Sequence, residues 1–467
     1  MYQKLVQAYR NNEDFVNAER AIRIGMNYAP GNAVLISEWA WNAQVRKDYV
    51  QASKRLEKLF TVLQGSVSEK IYSRLLYTYF HLNEATKFNS LLEKAISEYP
   101  ESKKILSFRN MLSDLFPEGC KILVLTTFPK HASNNVGDQL ITYSLLKLLK
   151  KRLPNLKYHI EFRAANLDKY LGTSVRYILA PGFSVSNGVY PSIYGLYTDL
   201  ENLPVFLPIG CSFQHIVPSC EIFEENVYSD DDKKVLKLIS KKMKYPFFLC
   251  RDELIKKMLL KNDIRAIYSG DLAVYDECYL NKPFIPPKKI KSIVFTIGHH
   301  DKYEYQSYCL LALIRNAFPR AKLYVSYHSK INPKSEKIGL FAKSLGFDEL
   351  YMFGDVEKLT FYDDIDLHIG YRLHGHISFL RRRKPSVLLV EDARSYGFAK
   401  TKGSQVGCFE ALISDSVNNL APCLVMKFLE LEIKNEFKSY CEVFELIDNT
   451  FNNVISPIID ELSFILK

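Results

Sequence analysis

The chain has 467 residues, of which 47% are hydrophobic and 24% charged, a composition typical of globular proteins. This length exceeds what one compact core supports and predicts two or three domains. The net charge of +10 is too small on such a surface to imply a nucleic-acid partner. We interpret the basic runs at 147–152, 233–244 and 381–384 as solvated helix faces, with an anionic substrate or membrane surface as the alternative.

Residues 1–115 are predicted to be helical throughout and to carry an internal repeat. The segment Asp14-Phe15-Val16-Asn17-Ala18 recurs 34 residues later as Asp48-Tyr49-Val50-Gln51-Ala52. This spacing, with an alanine that lets two helices approach closely, resembles tetratricopeptide hairpins; an unrelated helical bundle is the alternative. Because such hairpins bury their faces against neighbours, we expect this region to dock on another domain or on a protein partner.

From Cys120 onwards, short apolar runs alternate with amphipathic stretches, which predicts βαβ units and parallel sheets. A proline-rich segment at 281–287 is interpreted as a linker between an N-terminal lobe (118–282) and a C-terminal lobe (288–422). Helices are expected at 423–467, packed on either lobe. The predicted fold is therefore α/β, with two doubly wound lobes that resemble GT-B-like transferases, preceded by an all-α helical-repeat domain. In such sheets ligands bind at the carboxyl ends of strands.

The first motif follows the first predicted strand. The segment Asn135-Val136-Gly137-Asp138 opens a helix, where free backbone N–H groups and the helix dipole favour an anion. Gly137 permits close approach of a ligand, and Asp138 either caps the helix or acts on a sugar hydroxyl. A plain turn with a helix cap is the alternative.

The second motif, Tyr371-Arg372-Leu373-His374, lies at another strand-to-helix junction. Arginine binds phosphate or carboxylate through two donors, and histidine exchanges a proton near neutral pH. The spacing predicts that Arg372 and His374 converge on one oxyanion. The alternative is an arginine paired with Asp364 or Asp366 and a surface histidine, and His376 is interpreted as a helix-surface residue.

Further polar and glycine residues are predicted at the carboxyl ends of other strands, so that one rim of the fold collects them. They are Gly182, Gly210, Arg251-Asp252-Glu253, Gly270-Asp271 and Glu391-Asp392-Ala393-Arg394.

The ordered set from the Asn-x-Gly-Asp loop to Arg-Leu-His, followed by Lys384-Pro385-Ser386-Val387, resembles the polysaccharide pyruvyltransferase family over about residues 120–410. Two departures stand out. The glycine-rich strand end is reduced to Ala180-Pro181-Gly182, and Arg394 takes the place of the family's lysine, which keeps the charge but cannot readily deprotonate.

The resemblance implies phosphoenolpyruvate as donor and a sugar or lipid-linked glycan as acceptor, with a pyruvyl ketal and phosphate as products. On this hypothesis Arg251 and Arg394 bind the donor carboxylate and phosphate region, and Arg372 with the helix N-terminus binds phosphate. His374 is the general acid and Asp138 the acceptor-binding group or base. Asn135, Gly137 and Gly182 complete the expected substrate site. No cofactor is implied, and no residue cluster at ligand spacing suggests a metal.

Two other functions remain open at this stage. A GT-B glycosyltransferase with a nucleotide-sugar donor would use the same Arg-x-His at a helix N-terminus. Alternatively, the protein is a non-catalytic scaffold for a glycan-synthesis complex that assembles through its helical repeats.

The cellular location is also an expectation from composition. Nine cysteines, an odd number without CxxC spacing, favour a reducing cytosol. No charged leader with an apolar core and no run of the ~18 apolar residues needed to span a bilayer is seen. We therefore expect a cytoplasmic protein, at most peripheral at the inner face of the membrane. A role in the synthesis of a bacterial surface glycan is what the family resemblance implies.

Overall fold

The computed structural model describes residues 2–63, 67–82, 84–112, 120–224, 228–413 and 415–467. It divides into a helical unit, residues 1–120 with 169–174, and an α/β unit, residues 121–168 with 175–467. The all-α N-terminal region and the α/β fold with parallel sheets confirm the predicted fold class.

The helical unit is built from consecutive helices, of which the first six pair along the chain. Asp14 and Asp48 each accept the amide three residues further on, at 3.1 Å in both cases, and Ala18 and Ala52 are fully buried. The repeated segment therefore occupies equivalent places at the starts of two helices. The helices are α1 (Tyr2–Asn11), α2 (Phe15–Tyr28), α3 (Ala33–Val45), α4 (Tyr49–Leu63), α5 (Glu69–His81), α6 (Ala85–Glu98), α7 (Lys103–Ser107) and α8 (Arg109–Leu112).

The strands of the α/β unit fall into an N-terminal and a C-terminal series. They are β1 (Ile122–Thr126), β2 (His159–Phe162), β3 (Tyr177–Pro181), β4 (Val205–Ile209), β5 (Phe248–Cys250), β6 (Ala266–Tyr268), β7 (Ser292–Thr296), β8 (Lys322–Tyr327), β9 (Asp348–Tyr351), β10 (Leu367–Gly370), β11 (Ser386–Val390), β12 (Cys408–Glu410), β13 (Leu412–Ile413) and β14 (Ser416–Val417).

Helices connect these strands and follow them at the C-terminus. They are α9 (Val136–Arg152), α10 (Cys220–Glu224), α11 (Asp230–Lys242), α12 (Glu253–Lys261), α13 (Glu304–Ala317), α14 (Pro333–Ser344), α15 (Leu373–Leu380), α16 (Ala393–Lys400), α17 (Ala421–Lys434), α18 (Tyr440–Thr450) and α19 (Ser456–Ile465). Within the described ranges, no helix is both long enough and apolar enough to cross a membrane.

Both lobes are doubly wound. The N-terminal lobe has a parallel sheet in the order β2-β1-β3-β4, and a bridge between Cys211 and Cys250 joins it to the parallel pair β5-β6. The C-terminal lobe has six parallel strands in the order β9-β8-β7-β10-β11-β12. Its strand order reverses between β7 and β10, and ligands of such sheets bind at that switch point. The short strands β12 to β14 were not predicted from the sequence.

The chain after Ala421 packs on both lobes. Helix α17 contacts α13 of the C-terminal lobe, whereas α19 contacts α9 of the N-terminal lobe. Arg152 on α9 pairs with Asp460 on α19 at 2.6 Å. The residues 281–287 form no helix or strand, and the Asn281 N–H donates to Asp448 at 2.9 Å. The linker is thus held against α18.

The run 381–384 is not a solvated helix face, which corrects the sequence-based interpretation. Arg381 is 5% exposed and pairs with Asp276 of the N-terminal lobe at 2.6 Å. Lys147 on α9 pairs with the same carboxylate at 2.9 Å. The two bases hold Asp276 ionised and lower the pKa of its carboxyl, although burial acts the other way. These charges are buried because α15 ends at the junction of the two lobes.

Candidate active site

The first motif forms the N-terminus of α9. The Asn135 side-chain oxygen accepts the Gly137 N–H at 3.1 Å, and its Nδ2 donates to the Asp138 carboxylate at 3.0 Å. The Val136 N–H donates to the His328 carbonyl oxygen of the C-terminal lobe at 2.9 Å. The motif is therefore a helix cap and also a contact between the lobes.

Arg372 lies at the switch point of the C-terminal sheet, between the ends of β7 and β10. Its Nε donates to the Ile297 carbonyl oxygen at 2.8 Å, and its Nη1 contacts the His299 ring. Burial lowers the pKa of the guanidinium to about 10. This value is still well above 7, and the group is therefore charged at neutral pH. In the described part of the chain it makes no ion pair with a carboxylate within 4 Å, and neither Asp364 nor Asp366 is its partner.

His374 is 7% exposed and lies in the first turn of α15. Its Nε2 is 3.5 Å from Oδ2 of Asp271, which comes from the N-terminal lobe. The same oxygen is 3.4 Å from Nη1 of Arg251, and Oδ1 accepts the Ala273 N–H at 2.9 Å. Burial alone would raise the pKa of Asp271, but His374, Arg251 and this N–H lower it to about 2. The carboxylate beside the imidazole is thus ionised.

The two motifs touch each other. A methyl group added to Gly137 would lie 2.6 Å from His374 Nδ1 and 2.7 Å from its Cβ. Only a residue without a side chain fits at the start of α9 when the imidazole is in this place. The glycine is therefore required by the position of His374.

The end of β11 places two carboxylates and a guanidinium beside Arg372. Glu391 is 1% exposed and accepts the His299 N–H at 2.8 Å. Burial raises the pKa of Glu391 to about 7, although the Arg372 charge opposes this. Asp392 caps α16 and pairs with Arg394 at 2.6 Å, which raises the pKa of Arg394. Arg394 is therefore paired with a protein carboxylate, whereas Arg372 makes no such pair in the described part of the chain, and both guanidinium groups line the same pocket.

One pocket is lined by Asn135 from the N-terminal lobe and by residues of the C-terminal lobe that include Arg372, His374, Glu391, Asp392 and Arg394. The predicted site residues in its wall are Asn135, Arg372, His374 and Arg394. Asp138 is half-buried beside it, and its carboxylate helps to keep Arg372 and Arg394 charged. The pocket combines positive charge for an anion with a histidine for proton transfer.

Three predicted substrate-binding residues are not part of this wall, and one of them, Gly137, lies next to it against His374. Arg251 is 5% exposed and lines a neighbouring cavity behind Asp271, because its guanidinium faces the two carboxylates Asp271 and Asp252. Gly182 follows β3 with φ of +68° and packs against Ile141 on α9. Its conformation is a left-handed one that favours glycine, so the glycine serves the turn.

Five polar residues of the site were not predicted to act there: Asp271, His299, His328, Glu391 and Asp392. Each follows a strand directly or within two or three residues, and this position was the available signal. The sequence pattern placed Asp271, Glu391 and Asp392 at strand ends without a role and did not single out the histidines after β7 and β8. His328 is 1% exposed, its Nε2 shares a hydrogen bond with Tyr362 Oη at 2.8 Å, and burial lowers its pKa well below the usual value.

His376 is fully buried and not on the helix surface, which corrects the sequence-based interpretation. Its Nδ1 shares a hydrogen bond with Ser386 Oγ at 2.8 Å, and Ser386 also contacts His368 at 2.7 Å. α15 is buried along its whole length because it lies between the two lobes, so no face of it is left for solvent. Across the described residues, no group of three or more His, Cys, Asp or Glu side chains is arranged to hold a metal ion.

Two doubly wound lobes with a cationic pocket where they meet define a GT-B-like transferase. Residues 135–392, more than half of the chain, match the family described as polysaccharide pyruvyl transferase. The chain belongs to this family, as the motifs predicted, and it is a transferase of polysaccharide synthesis whose acceptors are sugars. No curated protein matches the sequence.

The chain is similar to several solved structures, among them a mutant of the O-GlcNAc transferase of Thermobaculum terrenum. The identity is 11% and the TM-score 0.29, and the match covers 100% of this chain and 98% of that chain. The putative UDP-N-acetylglucosamine 2-epimerase of Listeria monocytogenes has 9% identity, 70% and 91% coverage and a TM-score of 0.42. UDP-GlcNAc 2-epimerase of Neisseria meningitidis bound to UDP-GlcNAc has 12% identity, 74% and 99% coverage and a TM-score of 0.40. Such low identities and TM-scores support no statement about function.

Proposed function

We propose that this protein transfers a pyruvyl group from phosphoenolpyruvate to two hydroxyls of a sugar, forming a ketal and releasing phosphate. The observation that carries the proposal is that Arg372 and Arg394 line one pocket with His374, whose imidazole is backed by an ionised Asp271. Phosphoenolpyruvate carries a phosphate and a carboxylate, which need two cationic anchors, and an enol carbon that must be protonated.

Each side chain is assigned one role. Arg372 and the N-terminus of α15 bind the phosphate, and Arg394 binds the donor carboxylate. His374 gives its proton to the methylene carbon of the donor, while a sugar hydroxyl attacks the adjacent carbon. The second hydroxyl then attacks the same carbon and the bond to phosphate breaks. Asp138 accepts a hydroxyl proton, and the second proton leaves with phosphate or solvent.

The proposal also covers the acceptor, the absence of a cofactor, the cellular location and the helical repeats. The acceptor is a sugar or lipid-linked glycan of the bacterial surface, and no cofactor takes part. All nine cysteines are free within the described residues, which supports a reducing, cytoplasmic location, at most peripheral to the membrane. The paired helices with their buried Ala18 and Ala52 support tetratricopeptide-like repeats that bind a protein partner.

Thermal unfolding with candidate donors tests this proposal, because a ligand that binds only the folded protein raises Tm. We expect phosphoenolpyruvate to raise the Tm of the wild type and to leave that of Arg372→Ala unchanged, and UDP and CMP to have no effect. A rise with UDP or CMP and none with phosphoenolpyruvate would instead identify a nucleotide-sugar glycosyltransferase. If none of these ligands changes Tm and the helical unit captures an enzyme of glycan synthesis, the protein would be identified as a scaffold.

A further inference from the structure

The N-terminal lobe holds α15 at both of its ends. At the first turn, Asp271 lies 3.5 Å from His374, and just after the last turn Asp276 pairs with Arg381 at 2.6 Å. The two carboxylates belong to one short segment, 271–276, that follows β6. The helix that carries the imidazole is therefore set in place by a segment of the opposite lobe.

The Asp271 carboxylate is itself fixed by groups on both oxygens. Its Oδ1 accepts the Ala273 N–H at 2.9 Å, and its Oδ2 is shared between Arg251 and His374. Arg251 is 5% exposed and does not line the pocket of Arg372. A buried guanidinium in this place keeps the carboxylate ionised and directs it towards the imidazole.

The two ring nitrogens of His374 have different surroundings. Nε2 is buried and faces Asp271, with no hydrogen bond of normal length in the described part of the chain. Nδ1 lies close to Gly137, so that even a methyl group there would come within 2.6 Å of it. His374 lines the pocket and its Nε2 is buried beside Asp271, which leaves Nδ1 as the ring nitrogen for contact with a ligand.

We propose that Asp271 is a positioning residue that holds the Nε2 edge of His374, so that proton transfer to the substrate takes place through Nδ1. In the neutral ring the proton sits on Nε2, next to the carboxylate, and Nδ1 is free to take a proton. When Nδ1 is protonated, Asp271 stabilises the resulting imidazolium, as a carboxylate does behind a histidine in other enzymes. Arg251 then acts through Asp271 and does not touch the substrate. The chemical part of this assignment rests on the proposed pyruvyl transfer; the geometry does not.

The test compares Asp271→Asn with Asp276→Asn, a matched change in the same segment and against the same helix. Asparagine keeps the size of the side chain and an oxygen for the Ala273 N–H, but it removes the charge that faces Nε2. The ring nitrogens of His374 are read by 15N NMR of histidine-labelled protein at a pH where the ring is neutral. The His374→Ala variant identifies the signal.

In the wild type we expect the neutral His374 ring to carry its proton on Nε2. In Asp271→Asn we expect this preference of the His374 ring for Nε2 to be lost. In the phosphate-release assay Asp271→Asn should lower kcat on the order of 10²-fold with little change in the KM for phosphoenolpyruvate. Asp276→Asn should lower Tm and leave the 15N signature unchanged. A wild-type ring protonated on Nδ1, or an Asp271→Asn signature equal to that of the wild type, would overturn the proposal. Because the NMR readout needs no substrate, absence of phosphate release in the wild type would count against the proposed function alone.

Discussion

Gly137 lies directly against the imidazole of His374, so that a methyl group on the glycine would be 2.6 Å from Nδ1. The two residues belong to motifs in different lobes that are far apart in the chain. Their contact means that the start of α9 forms one side of the space around the imidazole of His374. The glycine of the first motif and the histidine of the second thus form a single structural unit.

Gly137→Ala should therefore inactivate the enzyme. Alanine is the better helix former by about 1 kcal/mol, so helix propensity alone predicts a more stable protein. The contact predicts the opposite, because either His374 or α9 must move, and a shift of about 1 Å in a catalytic group can cost roughly 10²-fold in rate. The measurement is kcat for phosphate release.

The matched control is Gly31→Ala, where an added methyl group would meet nothing within 4 Å. Its activity should equal that of the wild type. A Gly137→Ala variant with full kcat would show that His374 can move without loss and would contradict the predicted contact.

Arg372→Lys tests the anion site without changing the net charge. The guanidinium carries N–H donors along more than one edge, and its Nε donates to the Ile297 carbonyl oxygen at 2.8 Å. Lysine keeps the charge but loses this fixed orientation, and charge-assisted hydrogen bonds are worth about 1.5 to 3 kcal/mol. We expect the KM for phosphoenolpyruvate to rise by roughly 10- to 100-fold. An unchanged KM would mean that the donor anion is bound elsewhere.

Much of the fold could be predicted because its strands are short apolar runs that end in polar or glycine residues. β12 was missed because its residues, Cys408-Phe409-Glu410, are only partly buried or exposed and form no apolar run. His376 and Arg381 were misinterpreted because helical spacing gives the faces of α15 but not what covers them. The pocket wall formed by Asn135, Arg372, His374 and Arg394 followed the motifs. The place of Arg251 behind Asp271 depends on a contact between lobes that local spacing does not encode.

Glu391 predicts a pH dependence of stability. Its pKa is about 7 in the folded protein and 4.5 in the reference state, so the folded state holds the proton more tightly. Protonated Glu391 therefore contributes its full stability below pH 4.5. As pH rises from 4.5 to 7, the free energy of unfolding falls by about 3 kcal/mol on account of this residue. Glu391→Gln should remove that part of the slope, as measured by denaturant unfolding at several pH values. Since all other groups are common to both proteins, equal slopes would show that Glu391 titrates normally.

Arg381→Met should destabilise the α/β unit. The substitution leaves Asp276 buried with Lys147, at 2.9 Å, as its remaining cationic partner. Removal of one member of a buried ion pair typically costs about 3 to 5 kcal/mol, and we expect a loss near the lower value because Lys147 remains. The readout is the Tm of the isolated protein.

An exposed ion pair provides the comparison for this change. Lys434 pairs with Glu430 at 2.6 Å on the surface of α17. Lys434→Met should leave Tm nearly unchanged, because an ion pair between exposed side chains contributes little to stability. Equal losses in Tm for the two variants would contradict the prediction that the ion pair between Arg381 and Asp276 stabilises the contact between the lobes.

The most direct test of the account is phosphate release from phosphoenolpyruvate in the presence of an added glycan acceptor, with the wild type and His374→Ala side by side. We predict release that depends on the acceptor and that falls by at least about 10²-fold in the variant. Full turnover by His374→Ala would contradict the assignment of His374 as the proton donor, and a wild type that releases no phosphate with any acceptor while binding UDP or CMP would contradict pyruvyl transfer itself.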